Sequence, residues 1–498
     1  MPAPAYPDLV NKLQRAHLLG TVSDVLGWDE QVNLPPDSGD QRAAQLTLLA
    51  ELSHTTATDP AIGQLLTALE AGPLGAEERV VVRQARRDYD RATKLPADFV
   101  REKAGHCSRA YHAWADARAR DDFAAYAPFL EKHLELAKRE AAYLGHGAAP
   151  YDYYIDLSDP GMNAARIETL FTELKAGLVP LVRKIAASPV KARRDLLQGC
   201  PVAPQEIFLR EVTAKLGFDY RRGRIDVSVH PFCSGTGSDT RMTTRFDVND
   251  PLKALFGSIH ETGHGLYEQG LPREHAGTAL GIHAGMGVHE SQSRLWENQV
   301  ARGRPFWKHF EPRFRELFPS QTADVSAEQL YLAINAVKPT LIRVDADEVT
   351  YNLHIILRFE LEQRLFRGEL DVAGLSAAWK QASRDLLGLE PANNREGVLQ
   401  DIHWSGGAFG YFPSYCLGNM LAAQLWYRAL GLMPDLEQDF ARGDFSKLLG
   451  WLRHEVHARG RRLLLLDLAR EVTGEDLTPK YLLRYLHERY ATLYHVRP

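Results

Sequence analysis

The segment His260-Glu261-Thr262-Gly263-His264 contains the residue types and spacing in this 498-residue chain that best fit a chemical role. Two histidines four positions apart lie on one face of a helix, with about 5–6 Å between their Cβ atoms, so both imidazoles can reach one metal ion. Glu261 lies about 100° around the helix from His260, where its carboxylate can take a proton from a water beside that metal. The spacing therefore predicts a catalytic metal centre with Glu261 as its general base.

The residues around this motif favour a buried helix over the alternative, a surface helix with two solvated histidines. Phe256, Ile259 and Leu266 give the segment apolar neighbours. Gly263 and Gly265 are poor helix formers, each costing about 1 kcal/mol relative to alanine. Glycines are explained at these positions if a substrate or another backbone must approach the helix closely. We therefore expect a buried helix with a close neighbour.

A catalytic zinc site needs a third protein ligand. The spacing leaves His289, Glu290 and Glu297 as open candidates, all on a second predicted helix downstream. Glu268 lies about 12 Å along the helix axis from His260, which is too far to bind the same ion. A purely structural zinc site is disfavoured, because such sites usually have four cysteine or histidine ligands and no cysteine lies near the motif.

Helical periodicity dominates the chain and predicts a mainly α fold. Apolar residues recur at helical spacing over 167–185, which is typical of a helix that faces the core. Strand signals collect in 224–230 and 241–246, which surround a Gly/Ser-rich loop and predict a small hairpin. Because no repeat or long linker interrupts the chain, we expect one large helical body over 1–498, with a small antiparallel sheet near the metal site.

Composition and charge exclude several other classes of protein. Hydrophobic residues make up 45% and charged residues 25%, a globular balance, and no apolar run is long enough to span a membrane. The 59 basic and 64 acidic residues give a net charge of −5, too even to favour nucleic-acid or membrane binding. The N-terminal sequence lacks the pattern of a secretory signal peptide. Four scattered cysteines without a CxxC pair indicate free thiols, so we expect a cytoplasmic protein.

Short motifs spread along the chain carry a family resemblance. In order they are His230-Pro231-Phe232, Asp239-Thr240-Arg241-Met242-Thr243, the His260–His264 motif, His289-Glu290-Ser291-Gln292-Ser293, Ile342-Arg343-Val344-Asp345-Ala346-Asp347 and Gly397-Val398-Leu399-Gln400-Asp401-Ile402-His403-Trp404. Together they resemble the Taq carboxypeptidase family of zinc metallocarboxypeptidases. The stretch from Trp28-Asp29 to Pro35-Pro36 is also similar to that family, so the resemblance covers nearly the full length.

The resemblance implies a specific site and reaction. Zinc would be held by His260, His264 and Glu290, with Glu261 as general base and proton shuttle. Cobalt is a possible substitute, because it accepts the same nitrogen and oxygen ligands. The family also implies a helical body with a deep central groove, a homodimer, and hydrolysis of the last peptide bond of peptides to release single C-terminal amino acids.

Such an exopeptidase must recognise a free carboxylate, and a buried arginine suits this because its planar fork can bind both oxygens. Arg343, in the motif at 342–347, is our prediction for this role; the alternative is a structural ion pair with Asp345 or Asp347. His403 and Tyr415 are the predicted substrate-binding donors for the oxygen that becomes negative during hydrolysis.

Two alternative functions stay open at this point. An oligopeptidase or dipeptidyl carboxypeptidase could use the same zinc chemistry, and it would also cut peptides whose C-terminus is amidated. A non-catalytic peptide-binding scaffold is the other alternative. The intact Glu261 disfavours a scaffold, because binding alone does not need a general base.

Overall fold

The structure is a computed structural model, and it describes residues 5–496; residues 1–4 and 497–498, at the ends of the predicted domain, lie outside the described residues. Most of the described chain is helical, which confirms the predicted mainly α fold. In chain order the α-helices are α1 (Ala5–Val32), α2 (Gly39–Ala57), α3 (Pro60–Glu70), α4 (Ala76–Lys94), α5 (Ala97–Arg120), α6 (Phe123–Tyr143), α7 (Pro150–Ser158), α8 (Ala164–Ala187), α9 (Val202–Leu216), α10 (Pro251–Gly270), α11 (Met286–Arg294), α12 (Arg304–Leu317), α13 (Pro319–Thr322), α14 (Ala327–Ile334), α15 (Tyr351–Arg367), α16 (Leu375–Leu387), α17 (Pro413–Leu432), α18 (Leu436–Ala441), α19 (Ser446–Glu455), α20 (Leu465–Thr473) and α21 (Lys480–Leu486).

The chain forms two compact units, and each is assembled from three separate segments. The first contains the described residues within Met1–Thr93, with Arg193–Ile334 and Ala422–Asp476. The second contains Lys94–Ala192, Asn335–Leu421 and the described residues within Leu477–Pro498. Because the segments alternate along the chain, no single linker separates the units. The single domain over 1–498 stays a prediction.

A three-stranded sheet in the first unit confirms that strands are few, but its pairing differs from the predicted hairpin. The strands are β1 (Gly223–Val227), β2 (Cys233–Thr236) and β3 (Asp239–Thr244), in the order β1-β3-β2. β3 pairs antiparallel with β2 and parallel with β1, so the sheet is mixed. The predicted antiparallel hairpin between 224–230 and 241–246 is therefore wrong. The stretch assigned to the loop contains β2, and only two residues join it to β3, so this tight turn closes the antiparallel pair and leaves β1 on the other edge.

Helix α10 begins where its sequence directs it to begin. Asp250 is the N-cap, and its side-chain oxygen accepts a hydrogen bond from the backbone N–H of Lys253 at 3.2 Å. Pro251 occupies the first turn, where its missing N–H costs nothing. Along the helix, Ile259 and Leu266 are fully buried. The predicted buried helix that carries the metal motif is therefore confirmed.

The sheet packs against α10 in the first unit. The hydroxyl of Ser258 on α10 donates to the hydroxyl of Thr244 on β3 at 2.8 Å, and both side chains are buried. A Cβ atom on Gly265 would lie 3.4 Å from the sulfur of Met242 on β3. These contacts place the small sheet directly beside the helix of the metal motif.

The second unit is built around helices with wide apolar faces. On α8 the predicted stripe is buried and includes Phe171, Leu178 and Ile185. Helix α15 is buried on almost every side, which is typical of a central helix in a large core. No helix in residues 5–496 combines the length and the apolar character that crossing a membrane requires.

Candidate metal centre

Two neighbouring helices bring three candidate metal-binding side chains together in the first unit. His260 and His264 lie on α10, and their Nε2 atoms are 3.2 Å apart. Glu290 lies on α11, with its Oε2 atom 3.7 Å and 3.5 Å from those two nitrogens. Tetrahedral zinc with bonds of about 2.0–2.1 Å places its ligand atoms about 3.3 Å from one another, so these spacings fit one ion. All three donor atoms lie within 4.8 Å of one another.

A glycine allows the two helices to approach this closely. A Cβ atom on Gly263 would lie 2.4 Å from Cα of Ser293 and 2.6 Å from the carbonyl oxygen of Gln292, both on α11. Of the two explanations offered for the glycine, a substrate or another backbone, the structure thus supplies another backbone. The glycine inside the motif sets the separation between the histidines of α10 and Glu290.

Glu297 orients His260 and lies outside the set of metal-binding atoms. Its Oε2 atom lies 2.9 Å from Nδ1 of His260, which leaves Nε2 of that ring for the metal. Arg294 holds both carboxylates, since its Nε donates to Glu290 at 2.6 Å and its Nη1 donates to Glu297 at 3.1 Å. Glu297 follows Glu290 by seven residues, two helical turns, and this spacing could have indicated that both carboxylates share one face.

His289, the remaining candidate for third ligand, binds elsewhere. Its Nδ1 lies 2.6 Å from Nδ1 of His264, and its Nε2 lies 2.9 Å from Oε1 of Glu268. Both ring nitrogens are therefore engaged away from Nε2 of His264. Glu268, which the distance argument from the sequence ruled out as a ligand, lies outside the group of His260, His264 and Glu290 and contacts His289 instead.

Burial and charge set opposite protonation preferences for the two carboxylates of the centre. Burial raises the pKa of Glu261 to about 7, although the neighbouring charge of His260 opposes this shift. Burial would also raise the pKa of Glu290, but Arg294 and His260 outweigh it and hold that pKa well below its ordinary value. Glu290 is thus kept ionised, which suits a candidate metal ligand, whereas Glu261 can gain and lose a proton near neutral pH.

The sheet beside the centre is braced by an aromatic side chain from α1. The guanidiniums of Arg224 on β1 and Arg241 on β3 lie 4.6 Å and 4.4 Å from the centre of the Trp28 ring. Arg241 also pairs with Asp239 at 2.8 Å. Arg241 and Trp28, both in stretches that resemble the family, therefore have a scaffold role in this unit.

Arg343 occupies a buried polar cluster in the second unit. Its Nε donates to Asp401 at 2.9 Å and its Nη1 donates to the hydroxyl of Tyr351 at 3.0 Å. The alternative ion pair with Asp345 or Asp347 is wrong, because the carboxylate that Arg343 binds is Asp401, from the downstream motif. Among the described residues, no acceptor binds the Nη2 atom of Arg343.

His403 and Tyr415 lie in the same cluster. The guanidinium of Arg343 is 5.3 Å from the centre of the Tyr415 ring, and the Tyr415 hydroxyl is 3.5 Å from Nε2 of His403. Burial lowers the pKa of His403 to about 4, so the imidazole is neutral at pH 7. The structure brings these three residues together, and their role in substrate binding stays a prediction. The sequence analysis quoted Asp401 only as part of a motif and did not identify it as the partner of Arg343.

The helical fold and the group of two histidines and a carboxylate are typical of metallopeptidases. The chain belongs to the Carboxypeptidase Taq (M32) metallopeptidase family, whose model matches residues 8–490. It is therefore a metallocarboxypeptidase, as the motif resemblance implied.

Relatives and solved structures agree with this assignment. The chain is 42% identical to Thermostable carboxypeptidase 1 of Thermus thermophilus, over 99% of both chains. It is 38% identical to Carboxypeptidase 1 of Bacillus subtilis, over 94% of this chain and 95% of that protein. The crystal structure of the M32 carboxypeptidase from Deinococcus radiodurans R1 superposes with a TM-score of 0.96 at 44% identity, covering 99% of this chain and 100% of the other.

Proposed function

We propose that this metallocarboxypeptidase works with zinc and releases single amino acids from the C-terminus of peptides. The observation that carries the proposal is the group of donor atoms on His260, His264 and Glu290, next to the buried Glu261. These three residues would hold the ion. Bound there, zinc would supply a Lewis acid that polarises the scissile carbonyl and acidifies water toward a pKa of about 7. Cobalt would substitute, because it accepts the same ligand types.

Glu261 is the proposed general base. Its carboxylate accepts a proton from the attacking water and later delivers that proton to the nitrogen of the leaving amine, which must be protonated to depart. The pKa of about 7 supports this role, since a group that titrates near the working pH can both accept and return a proton.

Arg343, His403 and Tyr415 are the proposed substrate-binding residues. Arg343 remains charged at any working pH, and its Nη2 atom is available to donate to a C-terminal carboxylate while Nε and Nη1 stay bound to the protein. The neutral imidazole of His403 and the hydroxyl of Tyr415 can donate to the oxygen that becomes negative during hydrolysis.

A cytoplasmic homodimer that binds neither nucleic acid nor membrane remains part of the proposal. The homodimer rests on the family resemblance alone, and sedimentation of the purified chain would test it. The reducing compartment is supported by the cysteines, because all four are free thiols.

Hydrolysis of one N-blocked dipeptide by zinc-loaded protein, beside an amidated copy of the same dipeptide, tests the proposed reaction. Release of the terminal amino acid from the free carboxylate alone is the expected result. Cleavage of the amidated copy would instead indicate the oligopeptidase alternative. Removal of two residues at a time from a longer peptide would indicate a dipeptidyl carboxypeptidase, and binding of peptides without any cleavage would indicate the scaffold.

A further inference from the structure

The imidazole of His289 links the candidate ligand His264 to a carboxylate. The two contacts measure 2.6 Å, from Nδ1 to Nδ1 of His264, and 2.9 Å, from Nε2 to Oε1 of Glu268. His289 and Glu268 are both largely shielded from solvent, since only 12% and 16% of their side chains are exposed. The rings of Tyr267 and His283 lie against this imidazole, with centroids 5.1 Å and 5.0 Å away. The plane of the His289 ring is therefore fixed both by packing and by hydrogen bonding.

These contacts determine which nitrogen of each ring carries a proton. If Nε2 of His264 binds the metal, the proton of that neutral ring is on Nδ1, and Nδ1 donates to Nδ1 of His289. Since Nδ1 of His289 is then an acceptor, the proton of His289 lies on Nε2, which donates to Glu268. One arrangement of protons thus gives each of the four ring nitrogens a partner and supplies a donor to Oε1 of Glu268.

We propose that His289 is a positioning residue, which fixes the tautomer and the ring orientation of His264 for metal binding and is itself fixed by Glu268. The inference rests on the metal site of the proposed function. His260 is oriented directly by the carboxylate of Glu297, at 2.9 Å.

At Nδ1 of His264 the partner is the imidazole of His289, where His260 has a carboxylate, and a neutral imidazole has a physical advantage at this position. The carboxylates of Glu261, Glu290 and Glu297 already lie buried around the donor atoms. A neutral ring accepts the hydrogen bond from Nδ1–H of His264 without adding a fourth negative charge next to the donor atoms, while the charge of Glu268 stays one ring further away. The row therefore orients His264 at a lower electrostatic cost than a direct carboxylate contact would have.

Two substitutions of His289 separate orientation from packing. In His289→Asn, the side-chain oxygen takes about the position of Nδ1, so it keeps an acceptor for His264 and loses the link to Glu268. In His289→Leu, a side chain of similar bulk provides no acceptor. The measured quantity is the Kd for Zn²⁺ of the metal-free full chain, by competition with a chromophoric chelator and without peptide. Outer-shell partners of metal ligands typically contribute 10–100-fold in affinity.

We expect His289→Leu to raise the Kd about 10–100-fold and His289→Asn to raise it less than about tenfold. His454→Leu, at a histidine whose side chain is 79% exposed, is the matched control and should leave the Kd unchanged. The absorption spectrum of bound Co²⁺ should change shape in His289→Leu and stay unchanged in the control, because it reports ligand orientation. A Kd for His289→Leu equal to that of the wild type, or an equally large loss in His289→Asn, would overturn the role of His289.

A further variant keeps the test decisive if His289→Leu does not fold. Glu268→Met removes the acceptor of the His289 Nε2 proton and preserves a good helix former on α10. Its Kd for Zn²⁺ should rise several-fold, and an unchanged Kd would overturn the inference. A wild-type chain that binds no zinc would contradict the proposed function itself, whereas normal zinc binding in the wild type and in all variants would contradict only the role of His289.

Discussion

Gly263 on α10 and Ser293 on α11 are in backbone contact, so close that a Cβ atom on Gly263 would lie 2.4 Å from Cα of Ser293. Rotating a side chain cannot relieve such a distance, because Cα of Ser293 is a backbone atom and a Cβ atom is fixed to the backbone of α10. Two of the candidate metal-binding side chains project from α10 and the third, Glu290, projects from α11. The contact therefore sets the distance between the imidazoles and the carboxylate.

Gly263→Ala should push the two helices apart. We expect the free energy of unfolding of the metal-free protein to fall by about 1–3 kcal/mol, as for other overpacked cores, and the affinity for Zn²⁺ to weaken. Gly257→Ala is the control on the same helix, since a Cβ atom there meets nothing within 4 Å. That variant should gain up to about 1 kcal/mol from helix propensity and bind zinc normally. Urea unfolding and a zinc titration measure both effects, and equal behaviour of the two variants would contradict the role of the close contact.

Glu261→Gln should abolish proton transfer while leaving the metal site intact. An amide cannot accept the proton of the attacking water, so kcat should fall by about 10²–10⁴-fold. The stoichiometry of bound zinc should remain that of the wild type, because Glu261 is absent from the group of metal-binding donors. The exposed Glu274 provides the control substitution Glu274→Gln, with unchanged kcat. If Glu261→Gln kept wild-type kcat on the N-blocked dipeptide, the base would have to be another group.

Arg343→Lys tests the proposed carboxylate recognition. Lysine keeps the positive charge but lacks the planar fork, so one ammonium cannot serve Asp401, Tyr351 and a substrate together. We expect KM for a peptide with a free C-terminus to rise about tenfold or more, with a smaller change in kcat, and the preference over the amidated copy to shrink. Arg367→Lys, at an arginine whose side chain is 45% exposed, should change neither quantity. If KM and the preference for the free C-terminus both stayed unaltered, Arg343 would have only a structural role, in its ion pair with Asp401.

Asp401→Asn should lower stability in a manner that depends on pH. Burial would raise the pKa of Asp401, but Arg358 and Arg343 outweigh it and hold that pKa well below its ordinary value. A carboxylate with a lowered folded-state pKa stabilises the fold above its unfolded-state pKa of about 3.9, and this contribution disappears as the pH falls toward the folded-state value.

At pH 7 the substitution leaves both guanidiniums without their buried carboxylate, which should cost about 3–5 kcal/mol. The difference in the free energy of unfolding between the wild type and Asp401→Asn should therefore be largest at neutral pH and shrink below about pH 4. Denaturant unfolding at several pH values measures it. A difference that stays constant from pH 7 to pH 3 would show that the charge of Asp401 does not contribute.

The sequence by itself determined the class of the site and the class of the fold. Histidines four apart on a helix have to share a face, whatever the rest of the chain does, so the pattern at His260 and His264 predicted the metal centre locally. The helical stripes and the start of α10 at Asp250 and Pro251 were readable for the same reason, because they depend on neighbours within a few residues.

Only the tertiary structure decided relations between distant segments. Spacing left three candidates for the third ligand. The packing of α11 against Gly263 places Glu290 beside the Nε2 atoms of His260 and His264, while Glu297 and His289 hydrogen-bond to the Nδ1 atoms of these histidines. The partner of Arg343 is likewise a distant residue, Asp401, which lies 58 positions further along the chain. Strand β2, which lies between β1 and β3 in the sequence, was missed. Its pairing depends on which of the two edges of β3 is occupied by β1 and which by β2. Local periodicity carries no information on such choices, which follow from how the helices and strands pack together.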